Sequence, residues 1–270
     1  MAQIPLGKQV KYSSVYDPAL LFPIPRSNNR MDLKNGTNFY GVDIWNCYEV
    51  SWLNMNGKPC VRILELYIPS TTTNIVESKS LKLYLFSLNN NKFDSEKTVM
   101  SLIKSDLEKA LGSSVEVVLH NIEHFKNQKL NNLDYLCIDD LDVECDPSDK
   151  GVTLLQKDAK IVTEKFYTNL LRSNCLITSQ PDWATLYVSY KGPKIDHSAF
   201  LKYIVSFRSH DEFAEPLAER IFDNLISQCK CEELTVYNRS TRRGGIDINP
   251  IRSTHEISDV KSLNIRHPRQ

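Results

Sequence analysis

The chain has no surplus of either charge, no long apolar run and no standard nucleotide-binding loop, and each absence narrows the field. Lysine and arginine total 33, as do aspartate and glutamate, so the formal net charge is zero. That balance argues against a dedicated nucleic-acid binder, whose domains are usually basic. No apolar run approaches the ~20 residues that span a bilayer. The N-terminus, MAQIPLGKQVKYSS, lacks the apolar core of a secretory signal. The expectation is a soluble, cytoplasmic protein without a membrane partner. Its seven cysteines are then expected to be free thiols rather than a disulfide framework. Neither GxGxxG nor a Walker pattern occurs, so a Rossmann or P-loop site has no support. Cys229-x-Cys231 has no second pair at zinc spacing, and the six histidines form no ligand signature; no metal is expected. His120 and His124 fall at a strand end and are read as exposed.

What is present is a regular alternation of elements. With 270 residues, 41% of them hydrophobic, the chain suffices for two modest domains or one large one. Residues 45–53 alternate apolar and polar side chains, 54–59 carry Asn-Gly and Pro turn signals, and 60–68 read as the second strand of a hairpin. Leu81, Leu85 and Leu88 mark a helix over 78–88. Asp94 or Ser95 can cap a second helix, with Val99, Leu102, Ile103, Leu107 and Leu111 as its apolar stripe. Residues 115–119 and 135–138 read as strands.

The second half repeats the order. A weak strand over 174–178 precedes a clearer one over 185–190, and Lys191-Gly192-Pro193 reads as a turn. A helix over 198–207 presents Phe200, Tyr203, Ile204 and Phe207, and another spans 216–229 with Pro216 in its tolerated first turn. Residues 234–237 and 246–248 are strands flanking the loop SerThrArgArgGlyGly. The order strand-strand-helix-helix-strand-strand thus occurs twice, giving an α+β fold of two tandem units over 1–143 and 144–270, with the polar stretch 144–157 as linker. A faint echo relates Leu81-Lys82, Ser87 and Phe93 to Leu201-Lys202, Ser206 and Phe213.

Three segments could carry chemistry. Cys175 is either a small buried hydrophobe or a nucleophile. Its neighbours Arg172, Ser173, Asn174, Thr178, Ser179 and Gln180 are an odd setting for core packing. Asp182 follows seven residues later, and a nucleophile near a carboxylic acid suits addition followed by protonation. GluSerLysSerLeuLysLeuTyrLeu at 77–85 reads either as an amphipathic helix start, with Ser78 as cap and Lys79 and Lys82 in solvent, or as a phosphate site at a helix N-terminus. Arg242-Arg243-Gly244-Gly245 is either a basic turn or a loop that lets backbone and guanidinium approach an anion.

Taken together, GluSerLysSerLeuLysLeuTyrLeu, SerAsnCysLeuIleThrSerGlnProAspTrp at 173–183 and ThrArgArgGlyGlyIleAspIleAsnPro at 241–250 resemble the NADPH-dependent 7-cyano-7-deazaguanine reductases. LeuPheProIleProArg at 21–26 is similar to their long form. The resemblance implies a tunnelling fold, two units with an active site between them, and a homodimer acting on a deazapurine in queuosine biosynthesis without contacting nucleic acid. It implies Cys175 as nucleophile, through a covalent thioimide, and Asp182 as proton donor. Glu215 would hold the guanine-like edge, with Val76, Glu77, Ser78 and position 214 also at the substrate. Ser78, Lys79, Arg243 and Gly244 would contact NADPH. Position 214 departs from the pattern: the family usually has histidine there, and this chain has Ala214. Two rival readings remain, a pterin-binding tunnelling-fold enzyme and a purine-binding module without activity.

Overall fold

The computed structural model describes residues 15–125, 130, 133–149, 152–177 and 179–270, with no side-chain description for residues 124 and 125. Thr178, His124's side chain, residues 150 and 151 of the expected linker, and residues 1–14 therefore lie outside the described set. In chain order the first elements are β1 (Pro23–Pro25), α1 (Ser27–Arg30), β2 (Tyr40–Leu53), β3 (Pro59–Pro69), β4 (Asn74–Val76), α2 (Ser78–Ser87), α3 (Glu96–Leu111) and β5 (Glu116–His120). There follow β6 (Leu136–Cys137), β7 (Gln156–Asn174), β8 (Pro181–Ile195), α4 (His197–Ser206), α5 (Ala214–Cys229), β9 (Glu233–Ser240) and β10 (Ile246–Ser253). Helices and a large sheet make a mixed α+β protein. No helix among the described residues is long and apolar enough to cross a membrane.

The chain forms two compact units. One holds the described residues among Met1–Asn28, Asp43–Lys129 and Arg242–Asp247; the other comprises Asn29–Val42, Leu130–Thr241 and Ile248–Gln270. In the first, the strand order is β5-β3-β2, with Leu64 opposite Leu119 and Leu66 opposite Val117. Ser95 is the cap of α3, its hydroxyl accepting the Thr98 N–H, and Gly112 ends the helix at φ 72. Val99, Ile103, Leu107 and Leu111 are fully buried at helical spacing; each such side chain contributes ~1.5–3 kcal/mol. The segment LeuPheProIleProArg has a clear local role. β1 pairs antiparallel with β4, the Glu77 N–H donates to the Phe22 carbonyl at 3.0 Å, and Arg26 donates to Asp43 at 2.5 Å and Thr72 at 3.0 Å. Residues 74–77 are thereby held from one side.

In the second unit the order is β10-β9-β8-β7-β6. Phe166, Leu186, Val188 and Val236 of its strands pack with Phe200, Ile204, Ile221 and Leu225 of α4 and α5, and Phe166 meets Phe200 edge-on at 4.9 Å. Two sequence expectations fail here. The weak strand expected at 174–178 is not found among its described residues: Asn174 ends β7, a 19-residue strand, and residues 175–177 lie beyond it. The first ten residues of β7 are mostly polar and largely exposed, and their few apolar members, Ala159, Ile161 and Val162, form no regular alternation. Lys191-Gly192-Pro193 is not a turn but lies inside β8, opposite Val162 and its neighbours. Pro193 faces Ile161, next to a register shift, where a missing N–H is tolerated. A Cβ at Gly192 would come within 3.0 Å of the Cys231 backbone, so close chain approach explains the glycine.

Residues 29–42, early in sequence, pack on α5. Arg30 and Arg252 both bond Glu219, at 2.7 and 2.8 Å. Asp223 accepts the Lys34 and Asn35 N–H groups, each at 2.9 Å, and Phe39 meets Phe222 edge-on at 5.7 Å. Burial alone would raise the Glu219 pKa, but Arg252 and Arg30 overcome it and hold the carboxyl below its usual value. A depressed folded value means that its stabilisation is present above the unfolded carboxyl pKa and is lost as pH falls through the folded one. Glu219→Gln removes the carboxylate that the buried Arg252 and the half-buried Arg30 share, so a loss of ~3–5 kcal/mol at neutral pH is expected. Denaturation of both proteins across pH should show that gap closing in acid, and a pH-independent gap would refute the argument.

Candidate active site

Cys175 directly follows β7, and Asp182 is the second residue of β8. The hairpin register sets Asp182 opposite Ser173, two residues before Cys175, so both lie at one end of the β7–β8 hairpin. Its connection is tight: the Cys175 N–H donates to the Gln180 carbonyl at 2.8 Å, and the Ser179 N–H to the Cys175 carbonyl at 2.9 Å. Ser179 closes it in the left-handed region at φ 53. Cys175 is a half-buried free thiol. The neighbouring Trp183 has the Arg172 and Arg208 guanidinium groups 6.0 and 5.1 Å from its ring.

Glu215 is 2% exposed and lies in the first turn of α5, where the helix dipole favours a carboxylate. The helix begins at Ala214, two residues earlier than expected. Pro216 is its third residue, still among the positions whose N–H has no intrahelical partner. Ala214 is half-buried. His210 lies before the helix, with its ring 5.1 Å from that of Phe207.

The remaining predicted residues are in the other unit. Val76 ends β4, buried at 3%. Glu77, not Ser78, caps α2: its carboxylate accepts the Lys79 and Ser80 N–H groups at 2.9 and 2.7 Å. Those helix-terminal donors are thus engaged by Glu77 rather than open to an anion. Ser78 and Lys79 begin the helix. Lys82, expected in solvent, is partly buried. Burial and then Arg243 lower its pKa, Lys79 adds to this, and Glu77 opposes it. Arg243 and Ile246 bond each other across Gly244-Gly245, whose φ values of 55 and 84 give the two-residue turn that requires both to be left-handed. A Cβ on Gly244 would collide with the Lys82 ammonium. Lys79, Lys82 and Arg243 therefore form one cationic cluster beside a bare backbone, a donor set that suits phosphate. Lys82 is the residue that sequence reasoning missed; its three-residue offset from Lys79 on one helix was the available signal. The arginine pair separates: Arg242 lies over the Tyr48 ring at 4.1 Å and pairs with Glu49 at 3.1 Å.

Other candidates recede. His120, expected exposed, is half-buried with Nε2 3.2 Å from Glu65. Cys229 and Cys231 are buried thiols whose pKa values burial pushes up to about 11 and about 12. Among the described residues no group of three His, Cys, Asp or Glu side chains could hold a metal. A groove of about 240 Å³ on the β7–β8–β9 face, lined by Lys165, Ser189 and Thr235 among others, contains none of the predicted residues.

Comparison with known proteins shows the family. A family described as "Nitrile reductase, 7-cyano-7-deazaguanine-reductase N-term" matches residues 12–119, and one described as "QueF-like protein" matches residues 181–259. A protein named NADPH-dependent 7-cyano-7-deazaguanine reductase from Legionella pneumophila (strain Corby) is 46% identical over 272 residues, 99% of this chain and 95% of its own. Similarly named proteins from Desulfotalea psychrophila and Burkholderia multivorans are each 46% identical, over 100% and 93% of this chain and 98% and 93% of theirs. The chain belongs to the NADPH-dependent 7-cyano-7-deazaguanine reductase family.

Proposed function

We propose that this protein reduces the nitrile of 7-cyano-7-deazaguanine to the aminomethyl group with NADPH, as a step of queuosine biosynthesis. The observation that carries the reading is the hairpin that brings Cys175 and Asp182 to one end of the second unit, in a chain whose full-length relatives bear that enzyme's name. The Cys175 thiolate adds to the nitrile carbon and forms a thioimide, turning a poor electrophile into an imine-like one. Asp182 supplies the proton that the nitrile nitrogen gains. Glu215 holds the purine edge, since one carboxylate accepts two parallel N–H bonds, and Val76, Glu77, Ser78 and Ala214 adjoin the substrate. NADPH, when bound, would supply two hydrides per nitrile, one from each of two molecules; between them the C–S bond breaks, Cys175 leaves as thiolate, and the resulting imine takes the second hydride. Lys79, Lys82 and Arg243 hold the NADPH phosphates, with Ser78 and the Gly244 backbone alongside. The fold that fits this reading is a pair of tunnelling-fold units, 1–143 and 144–270, in a cytoplasmic homodimer that does not touch nucleic acid.

The test is the intact mass of the protein after incubation with the nitrile and no cofactor. An adduct on Cys175 is expected. Noncovalent binding alone would select an inactive purine-binding module, and neither outcome would favour a pterin enzyme.

Two predictions concern binding. Gly244→Ala costs ~1–2 kcal/mol at a left-handed position and displaces the Lys82 ammonium. NADPH affinity should fall, while nitrile affinity in a Cys175→Ala background stays unchanged; equal NADPH titrations for both proteins would refute the cluster. Ala214→His should tighten nitrile binding in the same background by the ~0.5–1.5 kcal/mol of one neutral hydrogen bond. Unchanged or weaker binding would show a pocket already adapted to alanine.

A further inference from the structure

Between the nucleophile and the purine anchor lies a junction that no proposed role uses. The β7 strand ends at Asn174, one residue before Cys175. Segment 208–212, just ahead of α5 and Glu215, runs beside it as a single parallel bridge of Asn174 with Asp211. Asn174 makes three of the bonds there. Its N–H donates to the His210 carbonyl at 2.8 Å, its carbonyl accepts the Glu212 N–H at 3.1 Å, and its Nδ2 donates to the Arg208 carbonyl at 3.3 Å. Arg172 donates to that same carbonyl from Nη1 at 3.3 Å. Glu212 is in turn clamped by Arg220 of α5 at 2.9 Å. A continuous set of bonds therefore runs from the residue before Cys175 to the helix whose first turn holds Glu215.

The Asn174 side chain is placed for this junction and not for its own saturation. Its Oδ1 is buried with no hydrogen-bond partner among the described residues, an unfavourable state for an amide.

We infer that Asn174 is a positioning residue, setting the placement of the Cys175 thiol relative to the purine anchor Glu215. The inference rests on the roles proposed above for those two residues. Binding rests on contacts to the purine, Glu215 foremost, whereas addition also needs the nitrile carbon within reach of sulfur. Loss of the junction should therefore slow the covalent step and spare affinity.

The experiment measures the rate of adduct formation at saturating nitrile without cofactor, and nitrile affinity by titration in a Cys175→Ala background. The variants are Asn174→Ala and the isosteric Asn174→Asp, which keeps the backbone bonds but cannot donate to Arg208. A misplacement of about an ångström slows reaction by ~100-fold, so a fall of ~10- to 100-fold in the adduct rate is expected. Affinity should stay within about threefold, as for a group that acts only on the chemical step. If Asn174→Ala does not fold, Asn174→Asp decides. An unchanged adduct rate, or rate and affinity lost in parallel, would overturn the inference. Failure of the underlying reading shows separately, as absence of an adduct in the unaltered protein.

Discussion

Cys175→Ala should leave the protein folded, abolish the nitrile adduct and reduce turnover by at least ~1,000-fold, the scale seen when a covalent nucleophile is removed. Addition releases no leaving group, so the unaltered protein should gain the full mass of the nitrile and the variant none. The other thiols make this a sharp test. Cys47, Cys229 and Cys231 are buried, and burial pushes the pKa of each upward. They hold little thiolate at neutral pH, and the thiolate is the nucleophile. Cys137 is the exposed rival. An adduct that survives in Cys175→Ala would move the chemistry to another thiol and end the assignment.

Asp182→Asn should lower turnover by ~100- to 10,000-fold, the usual contribution of a general acid. The amide preserves shape and cannot release a proton. Thiolate addition leaves the nitrile nitrogen needing that proton, so the adduct should also form more slowly. The geometry behind the expectation is the register that sets Asp182 across from Ser173, on the sheet face shared by cross-strand partners. A loss below tenfold would give Asp182 a structural role only.

The helices were legible because their apolar residues recur at three and four positions. Of the α3 stripe, Val99, Ile103, Leu107 and Leu111 are buried as read and Leu102 is half-buried, and α4 buries Phe200, Tyr203 and Ile204. β7 was not legible, because the first half of that strand is mostly polar and exposed, and its few apolar residues, Ala159, Ile161 and Val162, carry no period of two. Gly192-Pro193 misled for a related reason. Turn residues in sequence serve here a close approach to Cys231 and a register shift, and neither leaves a local trace. At the candidate site, Cys175 and Asp182 could be singled out by residue type and motif, and Glu215 only through what the family resemblance implies. Lys82 could not be told from a solvated lysine, since its burial depends on Gly244, which lies 162 positions away in sequence.

The sequence by itself determined the family, the helices and the residue types available for thiol addition, acid catalysis and phosphate binding, because motifs and periodicities are local. Only the tertiary structure decided which of these side chains meet. Glu77 closes the end of α2 with its own carboxylate. Residues 29–42 pack on α5 through Arg30, Asn35 and Phe39. Arg242 is drawn away to Tyr48 and Glu49 while Arg243 stays near Lys82. Each of these depends on partners far apart in the chain, which burial and hydrogen bonding select among and which no local pattern encodes.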